Sequence, residues 1–165
     1  MKWTMKKKFD EVGVGGTFDE LHRGHKTLLL KAFQVGEHVL IGLCSDDFVA
    51  KLAKPHQVAP YDRRLVDLRA FLRERSWLHR ATIVPLSDPY GPTLLKGSIE
   101  ALVVSKETER TAMEINDRRR RAGESALGIV TIDMVPSENH TPISTTRIRR
   151  GEMDREGHLL KGQND

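Results

Sequence analysis

The stretch Gly15-Gly16-Thr17-Phe18-Asp19-Glu20-Leu21-His22-Arg23-Gly24-His25 gathers the groups that phosphate chemistry uses. Glycines at a strand end let a polyanion approach the backbone closely, and Thr17 offers a hydroxyl. A helix starting near Gly24 would aim its first N–H groups at the same place. His22 and His25 are spaced i to i+3. On a helix start that spacing puts both imidazoles on one face, where they can donate to phosphoryl oxygens as charge develops. Alone, the stretch reads equally well as a turn into a helix, since neither a Walker loop nor the G-x-G-x-x-G spacing is present. Zinc is disfavoured: two histidines need a third and usually a fourth ligand, and the chain has no cysteine pairs and no H-E-x-x-H.

The elements that must position these residues follow from periodicity. A Val/Gly run at residues 12–17 reads as a buried strand breaking into the loop, and residues 24–34 carry Leu28, Leu29, Leu30 and Phe33 at helical spacing, with Gly36 as the stop. Residues 38–44 form the next strand, and Ser45-Asp46-Asp47 caps a helix with Phe48, Val49 and Leu52. A longer helix spans 61–75, with Leu65, Leu68 and Leu72 on one face and its arginines, Arg63 and Arg64 included, on solvated ones. A strand at 81–86, a Pro/Gly-rich loop at 87–92, a short helix, a strand at 99–105, a helix at 108–122, a strand at 128–135 and a helix from Ser144 complete the chain. Strands alternating with helices predict an α/β, Rossmann-like single domain. Its sheet would have five mostly parallel strands with helices on both faces. The expected divisions are an N-terminal segment 1–11, the domain 12–157 and a polar tail 158–165.

One domain is what 165 residues allow, and 38% hydrophobic against 30% charged residues fits a globular chain. The apolar run from Val39 to Cys44 is far below the roughly 20 residues of a membrane span, and no apolar signal core follows the basic N-terminus. Cytoplasm is the expected compartment, and Cys44, as the single cysteine, excludes an intrachain disulfide. The 27 basic and 23 acidic residues leave a net charge of +4. That could suit nucleotides, nucleic acid or nothing in particular. A nucleic-acid module is disfavoured. Consecutive positions in Arg118-Arg119-Arg120-Arg121 lie about 100° apart on a helix and cannot form one stripe, though one or two could face a site. No aromatic side chains are interleaved with them to stack bases.

Gly16-Thr17-Phe18-Asp19 followed by His22-Arg23-Gly24-His25 resembles the H-x-G-H nucleotidyltransferases, and Pro142-Ile143-Ser144-Thr145-Thr146-Arg147-Ile148-Arg149 is similar to that superfamily's second motif, I-S-S-T-R-I-R. The middle of the chain narrows the resemblance. Ser45-Asp46-Asp47-Phe48-Val49-Ala50-Lys51-Leu52, Tyr61-Asp62-Arg63-Arg64, Asp88-Pro89-Tyr90-Gly91-Pro92-Thr93 and Val103-Val104-Ser105-Lys106-Glu107-Thr108 resemble the archaeal and eukaryotic-type phosphopantetheine adenylyltransferases over about residues 12–157. FAD synthetases and glycerol-3-phosphate cytidylyltransferases, the alternatives within the superfamily, share the first motif, and the middle of the chain separates them. Thr145 stands where the family more often has serine, Asn139-His140 replaces a more usual Asp-Gly, and Ser105-Lys106-Glu107 occupies the place of a Gly-Leu-Arg segment in the bacterial form.

The resemblance implies transfer of AMP from ATP to 4′-phosphopantetheine, with Mg²⁺ held by phosphates and water and no metal ligand from the protein. His25 and His22 are the implied catalytic residues, and His25 would stabilise the five-coordinate α-phosphoryl group. ATP would lie against Gly16, Thr17, Phe18, His25, Glu107, Ser144, Thr145, Thr146 and Arg147, with the hydroxyls on the β- and γ-phosphates and Arg147 on the leaving pyrophosphate. The acceptor would meet Thr17, Ser105 and Lys51, with Lys54 as the substitute one turn on. Neither nucleic acid nor membrane is an expected partner.

Overall fold

Short runs rich in Val, Ile and Leu form five strands, β1 (Phe9–Gly16), β2 (Gly36–Cys44), β3 (Ala81–Leu86), β4 (Ala101–Ser105) and β5 (Gly128–Ile132). Stretches with a 3.6-residue apolar period form α1 (Arg23–Val35), α3 (Tyr61–Glu74) and α4 (Glu109–Arg121), with a short capped α2 (Asp46–Lys51). The computed structural model describes residues 7–52, 57–91 and 99–133. The helices expected after Pro92 and from Ser144, the end of the last strand, and Lys54 lie outside the described residues. β1 begins at Phe9, inside the segment expected to precede the domain, because Phe9 pairs with Gly36 at the start of β2.

The sheet has the order β3-β2-β1-β4-β5, and all its pairings are parallel. The chain builds outward from β1 to β2 and β3 on one side, then crosses to β4 and β5 on the other. Crossovers of one hand therefore deliver helices to opposite faces. Alternation along the strands gives each face its own core. Val12, Val14, Val39, Ile41, Leu43, Ala101 and Val103 pack with Leu29, Ala32 and Phe33 of α1 and Leu68, Phe71 and Leu72 of α3. Leu102 and Val104 point the other way, with Ala112 and Ile115 of α4 and the flanking Leu40.

Gly36 ends α1, as its position predicts, but its φ of −116° is extended rather than left-handed. The reason for glycine is space, since a Cβ there would stand 2.7 Å from Cγ2 of Val12. Among the described residues, no helix is long and apolar enough to cross a membrane.

Candidate active site

β1 and β4 are neighbours in the sheet, yet their connections leave in opposite directions. Such a switch point leaves a crevice at the carboxyl ends of the strands, where open α/β sheets bind ligands. A cavity of about 420 Å³ lies there. Gly13, Gly15 and Gly42 line it together with Thr17 and His25, while α4 contributes Ile115. These glycines alternate with Val12, Val14 and Ile41, so they fall on the α4 face and leave room where side chains would stand.

The loop from β1 to α1 is tightly determined. Phe18 and Glu20 adopt left-handed φ values of 51° and 53°, conformations that a non-glycine residue holds only when its surroundings enforce them. The Phe18 ring is buried beneath the loop, 5.3 Å between centroids from His25, and a Cβ on Gly16 would come within 3.2 Å of it.

His22 is the N-cap of α1 and not part of the helix. Its Nδ1 accepts hydrogen bonds from the backbone N–H groups of Gly24 (3.0 Å) and His25 (3.4 Å). Reciprocally, the His22 N–H donates to Nδ1 of His25 (3.2 Å). This is a capping box built from two histidines. It explains the glycine between them, because a Cβ on Gly24 would sit 2.9 Å from Cε1 of His22. The two rings stack with centroids 3.7 Å apart at 16°.

These bonds revise the chemistry expected of the motif. The amides of Gly24 and His25 at the helix start are occupied by the His22 imidazole, so they are not the phosphate cradle that the sequence suggests. With Nδ1 accepting in each ring, the hydrogen-bond network assigns the proton of each neutral imidazole to Nε2. Burial pushes the His22 imidazole down from 6.5 to about 4, and protonation at Nδ1 would also abolish the cap. Only His25 lines the cavity; His22 lies behind it. The i, i+3 spacing thus serves a cap and a stacked pair more directly than two donors on one phosphate.

At the other strand end, Ser105, Glu107 and Thr108 line the cavity. The turn is closed locally. Thr108 Oγ1 accepts from the Ser105 N–H (3.1 Å), and the Thr108 N–H donates to the Ser105 carbonyl (3.1 Å). Residues 88–91, just after β3, are fastened by their own hydrogen bonds. Asp88 accepts from the N–H groups of Gly91 (2.7 Å) and Tyr90 (2.8 Å), which hold its carboxyl below the usual range. The Arg118 guanidinium lies 3.8 Å from the centroid of Tyr90, a cavity-lining residue. Arg119 donates to the Ser125 carbonyl and Arg120 pairs with Asp117, so none of these three supplies a cation to the cavity lining.

Gly16, Thr17, Phe18, His25, Ser105 and Glu107 are therefore brought together around one cavity. Lys51 is exposed in the last turn of α2 and does not line it, although Phe48 and Leu52 of the same segment do. Ser144, Thr145, Thr146 and Arg147 lie outside the described residues. Arg64 corrects the expectation most clearly. It is not solvated like Arg63 but 1% exposed, with its guanidinium bonded to the Thr17, Cys44 and Ala59 carbonyls and to Asp46. A signal existed, since Arg64 precedes Leu68 and Leu72 by one and two helical turns and so shares their buried face.

A nucleotidyl-transfer site at the switch point of a parallel sheet is the class these features define. Residues 14–151 match the cytidylyltransferase-like family. The chain is 48% identical over 157 residues to a phosphopantetheine adenylyltransferase of Methanothermobacter thermautotrophicus, covering 95% of this chain and 93% of that one. It is 44% identical over 147 residues to the phosphopantetheine adenylyltransferase of Methanopyrus kandleri, covering 89% and 92%. Among solved structures, a protein of unknown function from Archaeoglobus fulgidus superposes with a TM-score of 0.65 at 35% identity, covering 74% of this chain and 97% of that one. The chain belongs to the cytidylyltransferase-like family and, within it, to the archaeal type of phosphopantetheine adenylyltransferases.

Proposed function

We propose that the protein transfers the adenylyl group of ATP to 4′-phosphopantetheine, releasing pyrophosphate and forming dephospho-coenzyme A. The observation that carries this reading is His25. It lines the switch-point cavity beside Thr17, with Nδ1 accepting from the His22 N–H and Nε2 as the ring nitrogen that carries the proton. The acceptor and the nucleotide are supported by the phosphopantetheine adenylyltransferases that the chain matches over nearly its whole length.

A phosphate monoester is largely a dianion at neutral pH, since its second pKa is about 6. The nucleophile therefore needs no base. The protein's work is to align this dianion with the α-phosphorus, opposite the departing pyrophosphate, and to meet the growing charge. His25 does the second by donating from Nε2 to the α-phosphoryl oxygens. A hydrogen-bond donor suits the task, because it gains strength as the oxygens gain charge. Thr17, at the strand end between the two substrates, positions both. Mg²⁺ would be held by the triphosphate and water, consistent with its preference for keeping most of its hydration, and would supply charge neutralisation on the phosphates. Lys51, or Lys54 beyond it, remains our assignment for the acceptor phosphate. Lys51 stands in the sequence between Phe48 and Leu52, both of which line the cavity.

The test is to incubate the protein with ATP, Mg²⁺ and, separately, phosphopantetheine, FMN or nicotinamide mononucleotide, and to follow pyrophosphate. Release is expected with phosphopantetheine. Release with FMN alone would overturn the acceptor while keeping the chemistry.

A further inference from the structure

Arg64 stands in the first turn of α3, where an exposed side chain would be ordinary, yet it is among the most deeply buried side chains of the described residues. Its planar guanidinium reaches three separate segments. Nη1 donates to the carbonyls of Thr17 (3.0 Å) and Cys44 (2.7 Å), Nη2 to Oδ1 of Asp46 (3.0 Å), and Nε to the carbonyl of Ala59 (2.8 Å). Thr17 belongs to the β1–α1 loop, Cys44 closes β2, Asp46 opens α2, and Ala59 leads into α3. The same Asp46 oxygen accepts from the Tyr61 N–H (2.8 Å), and buried Asp19 accepts from the Ala59 N–H (3.2 Å). Residue 59 is thus held through its carbonyl by Arg64 and through its N–H by the loop that carries Thr17.

We propose that Arg64 is a positioning residue for the transfer reaction, setting the register between the phosphate loop at Thr17 and helix α2 across the cavity. This rests on the adenylyl-transfer reading above. Burying a cation is costly, and an apolar residue could fill the same face as Leu68 and Leu72 do one and two turns later. What an apolar residue lacks is a rigid fork that fixes several acceptors at set angles, and lysine, a point charge on a flexible stem, lacks it too. The acceptors are the backbone of Thr17, which lines the cavity, and the start of the helix whose Phe48 and C-cap Leu52 also line it. In-line displacement depends on that alignment. Loss of Arg64 therefore leaves the His25 donor in place but lets the acceptor side drift relative to the α-phosphorus.

The experiment compares the wild-type chain with Arg64→Lys, Arg64→Ala and Asp46→Ala, assayed well below their unfolding temperatures with ATP, Mg²⁺ and phosphopantetheine. ATP affinity is measured by calorimetry, and unfolding is recorded in parallel. Arg64→Lys should lower kcat about 100-fold while ATP affinity stays within about threefold, because misplacement of roughly 1 Å costs that much in rate. Guanidinium ion added to Arg64→Ala, at a temperature where that variant is fully folded, should restore part of kcat without changing the folded fraction, which a purely structural loss would not show. Asp46 is 62% exposed, and Asp46→Ala keeps the three carbonyl bonds of Arg64, so its unfolding temperature should fall less than that of the Arg64 variants and it decides the matter if they do not fold. Its kcat/KM for the acceptor should fall about tenfold, in the direction of the misalignment. Wild-type kcat in both Arg64→Lys and Asp46→Ala, or wild-type kcat/KM in Asp46→Ala where the Arg64 variants fail to fold, would overturn the proposal. An inactive wild-type protein with phosphopantetheine would overturn the acceptor reading instead; the same comparison would then be run with whichever acceptor releases pyrophosphate.

Discussion

The two strand ends that meet at the switch point are built in opposite ways. At the end of β1 the loop to α1 contains two left-handed non-glycine residues, a buried aromatic ring, a buried carboxylate and a cap made from an imidazole. Arg64 braces it from another helix. At the end of β4 the turn into α4 is closed by local hydrogen bonds between Ser105 and Thr108, in the open. The first junction is specified by groups far apart in the chain and withdrawn from water, where each polar partner is expensive to lose. The second is specified by neighbours and can adjust. A donor that must meet developing charge without reorganising belongs on the first kind of junction, and His25 is there.

This contrast can be broken most decisively at His25. Replacing it with alanine should lower turnover by about 10²–10³, equivalent to about 2.7–4 kcal/mol, while ATP binding weakens much less. An unchanged turnover number would remove the first junction from the chemistry.

The next effect is on acid stability. Between pH 6.5 and about 4 the unfolded chain takes up a proton at His22 that the folded chain refuses. Stability therefore falls as the pH is lowered through that window, by up to about 3 kcal/mol, and this contribution levels off below it. Thermal unfolding followed from pH 7 to 4.5 should show the loss in the wild type. It should be smaller in His22→Asn, which keeps a capping oxygen but does not titrate.

Gly24→Ala should cost roughly 1–2 kcal/mol, because the new Cβ displaces the His22 ring and with it the cap. Denaturant unfolding of this variant alone and combined with His22→Asn checks the mechanism, since the smaller capping side chain should relieve part of the clash. At the second junction, Thr108→Ala removes only exposed local bonds and should cost about 1 kcal/mol or less by the same measurement. A larger loss there than at Gly24 would reverse the comparison.

The elements were legible because periodicity is local: the Val and Leu alternation of the strands and the leucine spacing of α1 and α3 predict them within a few residues of where they lie. The β1–α1 motif was legible as a phosphate site because its residue types are rare together. The division of labour inside it was not. Spacing alone makes His22 and His25 equivalent, and only the hydrogen bonds show that His22 caps the helix while His25 meets the cavity. The charge of Lys51 and its position in the motif point to the acceptor phosphate, but the direction of a long exposed side chain on a short helix is set by packing that the sequence does not display. Arg64 shows the reverse. Its charge suggested solvent, although its place one turn before Leu68 marks a buried face.

By itself, the sequence determined the α/β class, the alternation of strand and helix, the family motif and the candidate donors, all of which depend on residue type and near-neighbour spacing. Tertiary structure alone decided that Gly13, Gly15 and Gly42 leave a shared cavity beneath α4, and that residues 17, 44, 46 and 59 converge on one guanidinium. Strand order and helix docking bring those groups together across long stretches of chain. Whether a polar side chain is a surface charge or a buried strut depends on what lies opposite it once the sheet has formed.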